Sequence, residues 1–301
     1  MNDIHDLLQK YDLVIKKLEK RGHVLLVETK DKKYIIKQKK GEKSNLFSYL
    51  YSRSFNYFPN LYNNDFDDKY EIFDYIESIN MPNQEKAKDI VLLIALLHSK
   101  TTFYRKIDIE DYKVIYEDLK EKIDKLRIYY ENLNDKIDDE IYMSPSHYLL
   151  VRNISKIYAS LNYCNYELDN WYKEVKNKDK ERVVTIHNNL TLNHFLKNSE
   201  NYLISWDKST IDSPIYDLYH FYKNEYKNLE FSELLTLYER KYPLLEEERR
   251  LLFILMSIPS KYEEENDEYL NTKRVNDILE YLYTTDKVIS PYYSKKKEEE
   301  H

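Results

Sequence analysis

The stretch His187-Asn188-Asn189-Leu190-Thr191-Leu192-Asn193-His194, followed by Leu203-Ile204-Ser205-Trp206-Asp207-Lys208-Ser209, decides how this sequence is read. Each segment adjoins a short β-rich run, Val183 to Ile186 and Tyr202 to Trp206. These runs interrupt a region that is otherwise helical in pattern. Upstream, residues 83–101 carry Ala87, Ile90, Val91, Ile94 and Leu97 as a helical stripe. Residues 109–136 and 145–176 read as two long helices, and the chain from about Pro214 to Tyr283 is helical again. Polar residues on a β insertion within a helical half are therefore the first candidates for a site.

The first eighty residues differ in character. Residues 1–11 read as a short helix, and 12–19 alternate as a strand through Leu13, Ile15 and Leu18. His23 to Thr29 and Lys33 to Lys37 are β-rich runs joined by the polar turn Lys30-Asp31-Lys32. Residues 42–52 fit a helix with Leu46, Tyr49 and Leu50 on one face, and strands are expected near Asn60 to Tyr62 and Tyr70 to Tyr75. The expectation is an α+β, bilobal chain. A five-stranded β lobe with one helix spans residues 1–80. A helical lobe spans 81–292, with the insertion at 183–207. A charged tail at 293–301 is expected to be disordered.

Composition narrows the function classes. The 301 residues suffice for two lobes around one cleft. The formal net charge of −7, with both signs interleaved, argues against a general nucleic-acid binder. One cysteine, Cys164, excludes an intrachain disulfide and a thiolate zinc site. The start is polar, and the longest apolar run, Ile90 to Leu97, is too short to span a bilayer, so an intracellular, cytoplasmic protein is expected. Tyrosine is abundant, at 32 residues, and supplies large apolar bodies with polar tips. Glycine is scarce: two residues, Gly22 and Gly41, stand where average usage of about 7% would give roughly twenty.

The two opening segments, continued through Asp212-Ser213-Pro214 to Tyr216-Asp217-Leu218, resemble the catalytic loop and metal-binding segment of aminoglycoside phosphotransferases, choline kinases and kinase-like spore-coat proteins. In that protein kinase-like superfamily the loop reads H-G-D-L-x-x-x-N. The later segment reads I-D-W-D/E and then D-P-x-x-D-L. Val24 to Lys37 resembles the hairpin that ends in the family's nucleotide-binding lysine, with Lys37 at that place. Glu71 to Glu77 resembles the strand into the interlobe hinge, and Leu92 to His98 the "LA-x-LH" helix. The likeness runs co-linearly over residues 12–225.

The resemblance implies phosphoryl transfer, which is mostly positioning and charge neutralisation: a carboxylate for the attacking hydroxyl, hard oxygen ligands for Mg²⁺, and a lysine on the phosphates. Lys37 is present. The catalytic Asp position holds Asn189, and an amide cannot accept a proton near neutral pH. The metal-binding Asn position holds His194, a poor Mg²⁺ ligand, and the main metal-binding Asp position holds Ser205. Structural positions match at His187, Trp206, Pro214 and Asp217. Glu42 is the acid available to pair with Lys37 early in its helix. Asp207 lies two residues after Ser205, so on a strand the two share a face and Asp207 could replace the lost ligand. Asn193 is the other residue able to rescue a metal site. Scarce glycine points the same way, because a loop closing over phosphates needs positive φ and free backbone N–H groups.

Plainer roles stand beside these. Lys37 can be an exposed strand lysine, and Asn189 and His194 a polar loop without a ligand. His187 can simply hold that loop, and Asp217 brace it. His98 and His220 read as helix residues at a lobe interface, and Trp171 and Trp206 as core. Two functions follow. One is a pseudokinase, a binding or structural protein of the spore-coat type, without ATP or Mg²⁺ and with other proteins as partners. The other is an ATP- and Mg²⁺-dependent small-molecule kinase, acting on a hydroxyl of an aminoglycoside, choline-like or sugar substrate through Asp207.

Overall fold

The computed structural model describes residues 2–39, 45–62 and 69–299. The chain is α+β and has two lobes. The small lobe opens with α1 (Asn2–Lys10), then β1 (Lys17–Arg21), β2 (Val24–Glu28) and β3 (Lys33–Gln38), α2 (Leu46–Ser52) and β4 (Tyr70–Asp74). The strands form one antiparallel sheet in the order β1-β2-β3-β4. Leu7 and Leu8 of α1 close one face over Val27, Tyr34, Ile36 and Ile72. Strand alternation then sends Ile35 and Lys37 to the other face, which looks toward the large lobe.

Two expectations for this lobe are corrected. Among the described residues the sheet has four strands and not five, and two helices accompany it. Asn60 to Tyr62 contributes a single bridge, Leu61 to Phe73, because the stretch follows Pro59 and is too short to extend the ladder. The strand expected over 12–19 begins only at Lys17. Asp12 turns the chain out of α1 with φ +55°, and Leu13 and Ile15 pack against the sheet core from an irregular segment. Their alternation records burial and not strand pairing. Gly22 has φ +58° in the two-residue turn between β1 and β2, a conformation open to glycine at little cost.

The large lobe follows the linker after Asp74. It contains α3 (Asn83–Thr101), β5 (Phe103–Lys106), α4 (Ile109–Asp138), α5 (Pro145–Val175) and β6 (Lys180–Ile186). Then come β7 (Phe195–Lys197), β8 (Asn201–Leu203), β9 (Thr210–Asp212), α6 (Ile215–Glu225), α7 (Phe231–Lys241), α8 (Glu246–Ser257) and α9 (Glu268–Glu299). The apolar run in α3 is buried nearly all round, so this helix is the spine of the lobe. Asp108 and Asp111 form a capping box at the start of α4, and Ser144 followed by Pro145 starts α5. α5 packs against α4, α8 and α9. β5 and β9 flank β6 and hold the strand that delivers the polar loop after Ile186.

α9 runs through Glu299, into the stretch expected to be disordered. Lys and Glu are good helix formers, and extending a helix already nucleated by packing avoids the nucleation cost. No helix among the described residues is long and apolar enough to cross a membrane.

Candidate functional site

A cavity of about 420 Å³ lies between the lobes. Val24, Ile35 and Phe73 of the sheet form its roof, Leu196, Ile204 and Trp206 its floor, and Tyr75 and Ile76 of the linker one wall. It is an apolar slot with a charged end. There the Lys37 Nζ stands 2.5 Å from Asp207 Oδ1, both side chains largely covered. Glu71 lies directly opposite Lys37 across the β3–β4 ladder, and also lines the slot. Directly paired residues share a face of the sheet, so β4 brings a carboxylate to the same face as Lys37. Glu42 lies outside the described residues.

The polar loop is built from its buried supports outward. Asp217, on α6, is fully buried. Its Oδ2 accepts the His187 backbone N–H at 2.8 Å and its Oδ1 the Asn188 N–H at 2.6 Å. His98 Nε2 lies 3.2 Å from the same Oδ2, and its Nδ1 is 2.7 Å from the Tyr238 hydroxyl. Burial alone would raise the Asp217 pKa. The hydrogen bond and charge of His98, the charge of His187 and the backbone donors outweigh it and hold the carboxyl below its ordinary range. His98 is therefore inside the large lobe, where α3, α6 and α7 meet, and not at a lobe interface. Its apolar helix ends beside Asp217, the fully buried acid of α6. His220 remains on α6 with its ring 5.4 Å from that of Tyr219.

His187 is fully buried. Its Nε2 donates to the Ile204 carbonyl at 2.9 Å, and its ring meets the Trp206 ring at 4.7 Å. Burial pushes its pKa down to about 4, so the imidazole is neutral near pH 7. Asn188 takes φ +57° at the glycine position of the resembled loop, a conformation that asparagine tolerates. Its Nδ2 donates to the Lys208 carbonyl at 3.2 Å. Asn189 Nδ2 donates to the Ser205 carbonyl at 3.3 Å, and His194 Nδ1 donates to the Asn189 carbonyl at 2.5 Å. These side chains tie the 187–194 loop to the 203–208 segment. Asn193 is exposed.

Ser205 and Asp207 do not share a strand. β8 ends at Leu203, Ser205 turns left-handed at φ +67°, and Trp206 to Lys208 form a 3-10 turn. The shared-face argument fails for that reason, yet the turn itself aims Asp207 at Lys37. The structure thus gathers Lys37, His187, Asn189, His194, Ser205, Trp206 and Asp207 at the lobe junction, with Asp217 behind them. Sequence reasoning missed Glu71, His98 and Tyr238 as supporting residues. Glu71 was legible only as a strand residue, and Tyr238 carried no signal. Among the described residues no group of three or more His, Cys, Asp or Glu side chains is placed to hold a metal ion.

No protein-family model matches the sequence, and no curated protein matches it. Solved structures do match. An aminoglycoside phosphotransferase from Alicyclobacillus acidocaldarius superposes with a TM-score of 0.72 at 11% identity, over 97% of this chain and 95% of that one. A spectinomycin phosphotransferase in its AMP-bound complex gives 0.52 at 13% identity, over 96% and 94%. The same kind of enzyme with ADP and spectinomycin gives 0.52 at 14%, over 95% and 98%. The likeness spans both lobes in full and establishes a shared fold.

Proposed function

We propose that this chain, which has the fold of the aminoglycoside phosphotransferases, is a pseudokinase: its interlobe cleft binds a ligand and does not transfer a phosphoryl group. The observation that carries the reading is Asn189. It stands where the resembled loop has its base, and its amide donates to the Ser205 carbonyl. An amide has no basic site for the proton of an attacking hydroxyl. Three further features support it. His194 is turned onto the Asn189 carbonyl, and Lys37 is neutralised by Asp207. The β1–β2 connection is a two-residue turn, which offers few backbone N–H groups to cradle phosphates.

The apolar slot beside Lys37 has the size and lining of a small-molecule site. Two neighbours of the same fold are described with AMP or ADP bound, and an adenine nucleotide is the ligand we assign to the slot here. Its phosphates would compete with Asp207 for Lys37. Thermal-shift titrations with ATP, with and without Mg²⁺, test this. Stabilisation that is independent of Mg²⁺ and lost in Lys37→Met is expected, with no ATP consumed. Mg²⁺-dependent stabilisation with ATP turnover would sink the proposal.

A second reading is favoured by the position of Asp207. Its carboxylate is in the cleft, where a metal-bound phosphate could meet it. The chain would then be a small-molecule kinase with a displaced acid. That reading requires ATP turnover that disappears in Asp207→Ala.

A further inference from the structure

Away from the interlobe cleft, α4, α6, α9 and the segment after α8 enclose a groove of about 1110 Å³. That is at or above the roughly 300–1,000 Å³ usual for small-molecule sites. Tyr129, Tyr219, Tyr226 and Tyr281 line it together with Lys122 and Lys223. At 3.6 residues per turn, Asp217 and Asn224 leave α6 toward the 187–192 loop, whereas Tyr219, Lys223 and Tyr226 leave it on the other side. The groove is therefore separate from the site described above.

Its charges are distributed unevenly. Glu121 is taken by Lys125 at 2.7 Å, and Asp277 by Lys227. Arg274 is held by Glu265, and Lys261 lies over the Tyr129 ring at 4.6 Å. Among the described residues Lys122 has no such carboxylate. It keeps solvent contact, yet packing around its ammonium lowers its pKa, and the charge of Lys223 lowers it further. Asp118 and Glu263 also stand on the groove wall. Lys223 itself lies over the Tyr219 ring, at 5.9 Å. Lys122 and Lys223 line one groove beside aromatic walls, and an anion bound there offsets the repulsion of two like charges facing the same space.

We propose that this groove binds a small organic oxyanion carried on a flat apolar or aromatic body. Lys122 and Lys223 hold the oxyanion, and the tyrosines enclose the body. Calorimetric titration of the full chain with phenyl phosphate and with benzoate tests it, and the two arms distinguish a phosphate from a carboxylate. Binding of at least one anion is expected, weakened about tenfold or more in Lys122→Gln/Lys223→Gln and unchanged in Lys37→Met, which excludes the interlobe cleft. In the ligand-free protein, Lys122→Gln should raise the melting temperature by relieving repulsion. Equal affinity in the double variant and the parent, or no binding of either anion up to about 10 mM, would overturn the assignment.

Discussion

Replacing His187 by glutamine tests whether the loop is held by a buried, neutral imidazole. In the folded chain the ring donates to the Ile204 carbonyl, and its Nδ1 is buried with no partner among the described residues. Burial lowers its pKa from 6.5 to about 4, against the opposing pull of Asp217. The unfolded chain takes up a proton near the ordinary value and the folded chain does not. Between the two values the unfolded state binds more protons, so stability rises with pH there. This contribution is complete above the unfolded pKa and is lost as pH falls toward the folded one. At about 1.4 kcal/mol per pH unit the gap is worth about 3 kcal/mol, of which about 2 kcal/mol disappears between about pH 7.5 and about pH 5. Urea unfolding followed by the fluorescence of Trp171 and Trp206 measures it at both pH values. His187→Gln should begin less stable, having lost ring packing on Trp206, but should fall by about 2 kcal/mol less on acidification. His220, whose pKa burial also lowers, contributes with the same sign in both proteins and cancels. Equal acid losses in parent and variant would refute the reasoning.

Asp217→Asn turns an acceptor of two backbone N–H groups into a side chain with a donor among donors. It should cost about 3 kcal/mol in urea unfolding, and a change under about 0.5 kcal/mol would remove Asp217 as the support of the loop. Ser205→Gly relieves a left-handed serine and should raise stability by about 0.5–1 kcal/mol, read as a higher midpoint at unchanged slope. Arg182→Met strands Glu248, which Arg182 holds through two nitrogens beneath the Tyr242 ring. A loss of about 3–5 kcal/mol is expected, and Arg182→Met/Glu248→Leu should recover much of it if the loss comes from an unpaired buried charge.

The legible parts of this chain were those written in local pattern. The stripe Ala87, Ile90, Val91, Ile94 and Leu97 marked α3 at the boundaries the structure shows, because a helix buried on one side after another repeats every 3.6 residues. The Val24 to Lys37 hairpin was equally plain, since its two runs are rich in β-forming residues and the turn between them is polar. Pattern misled where apolar alternation served packing without pairing, as at Leu13 and Ile15. It was silent on β5, four residues long with three exposed, which only the partner strand β6 makes a strand.

By itself, the sequence determined the bilobal α+β order, the place of the polar loop, and the residue types at its centre, including the amide at Asn189. Those follow from periodicity and side-chain chemistry, which neighbouring residues carry. Tertiary structure alone decided that Asp207 meets Lys37, that Asn189 and His194 turn onto backbone carbonyls, and that His98 reaches Asp217. Each of the first and last joins residues far apart in the chain, and the loop contacts depend on the left-handed turn at Ser205. Buried polar groups take the partners that folding brings within reach, and no local repeat encodes which those are.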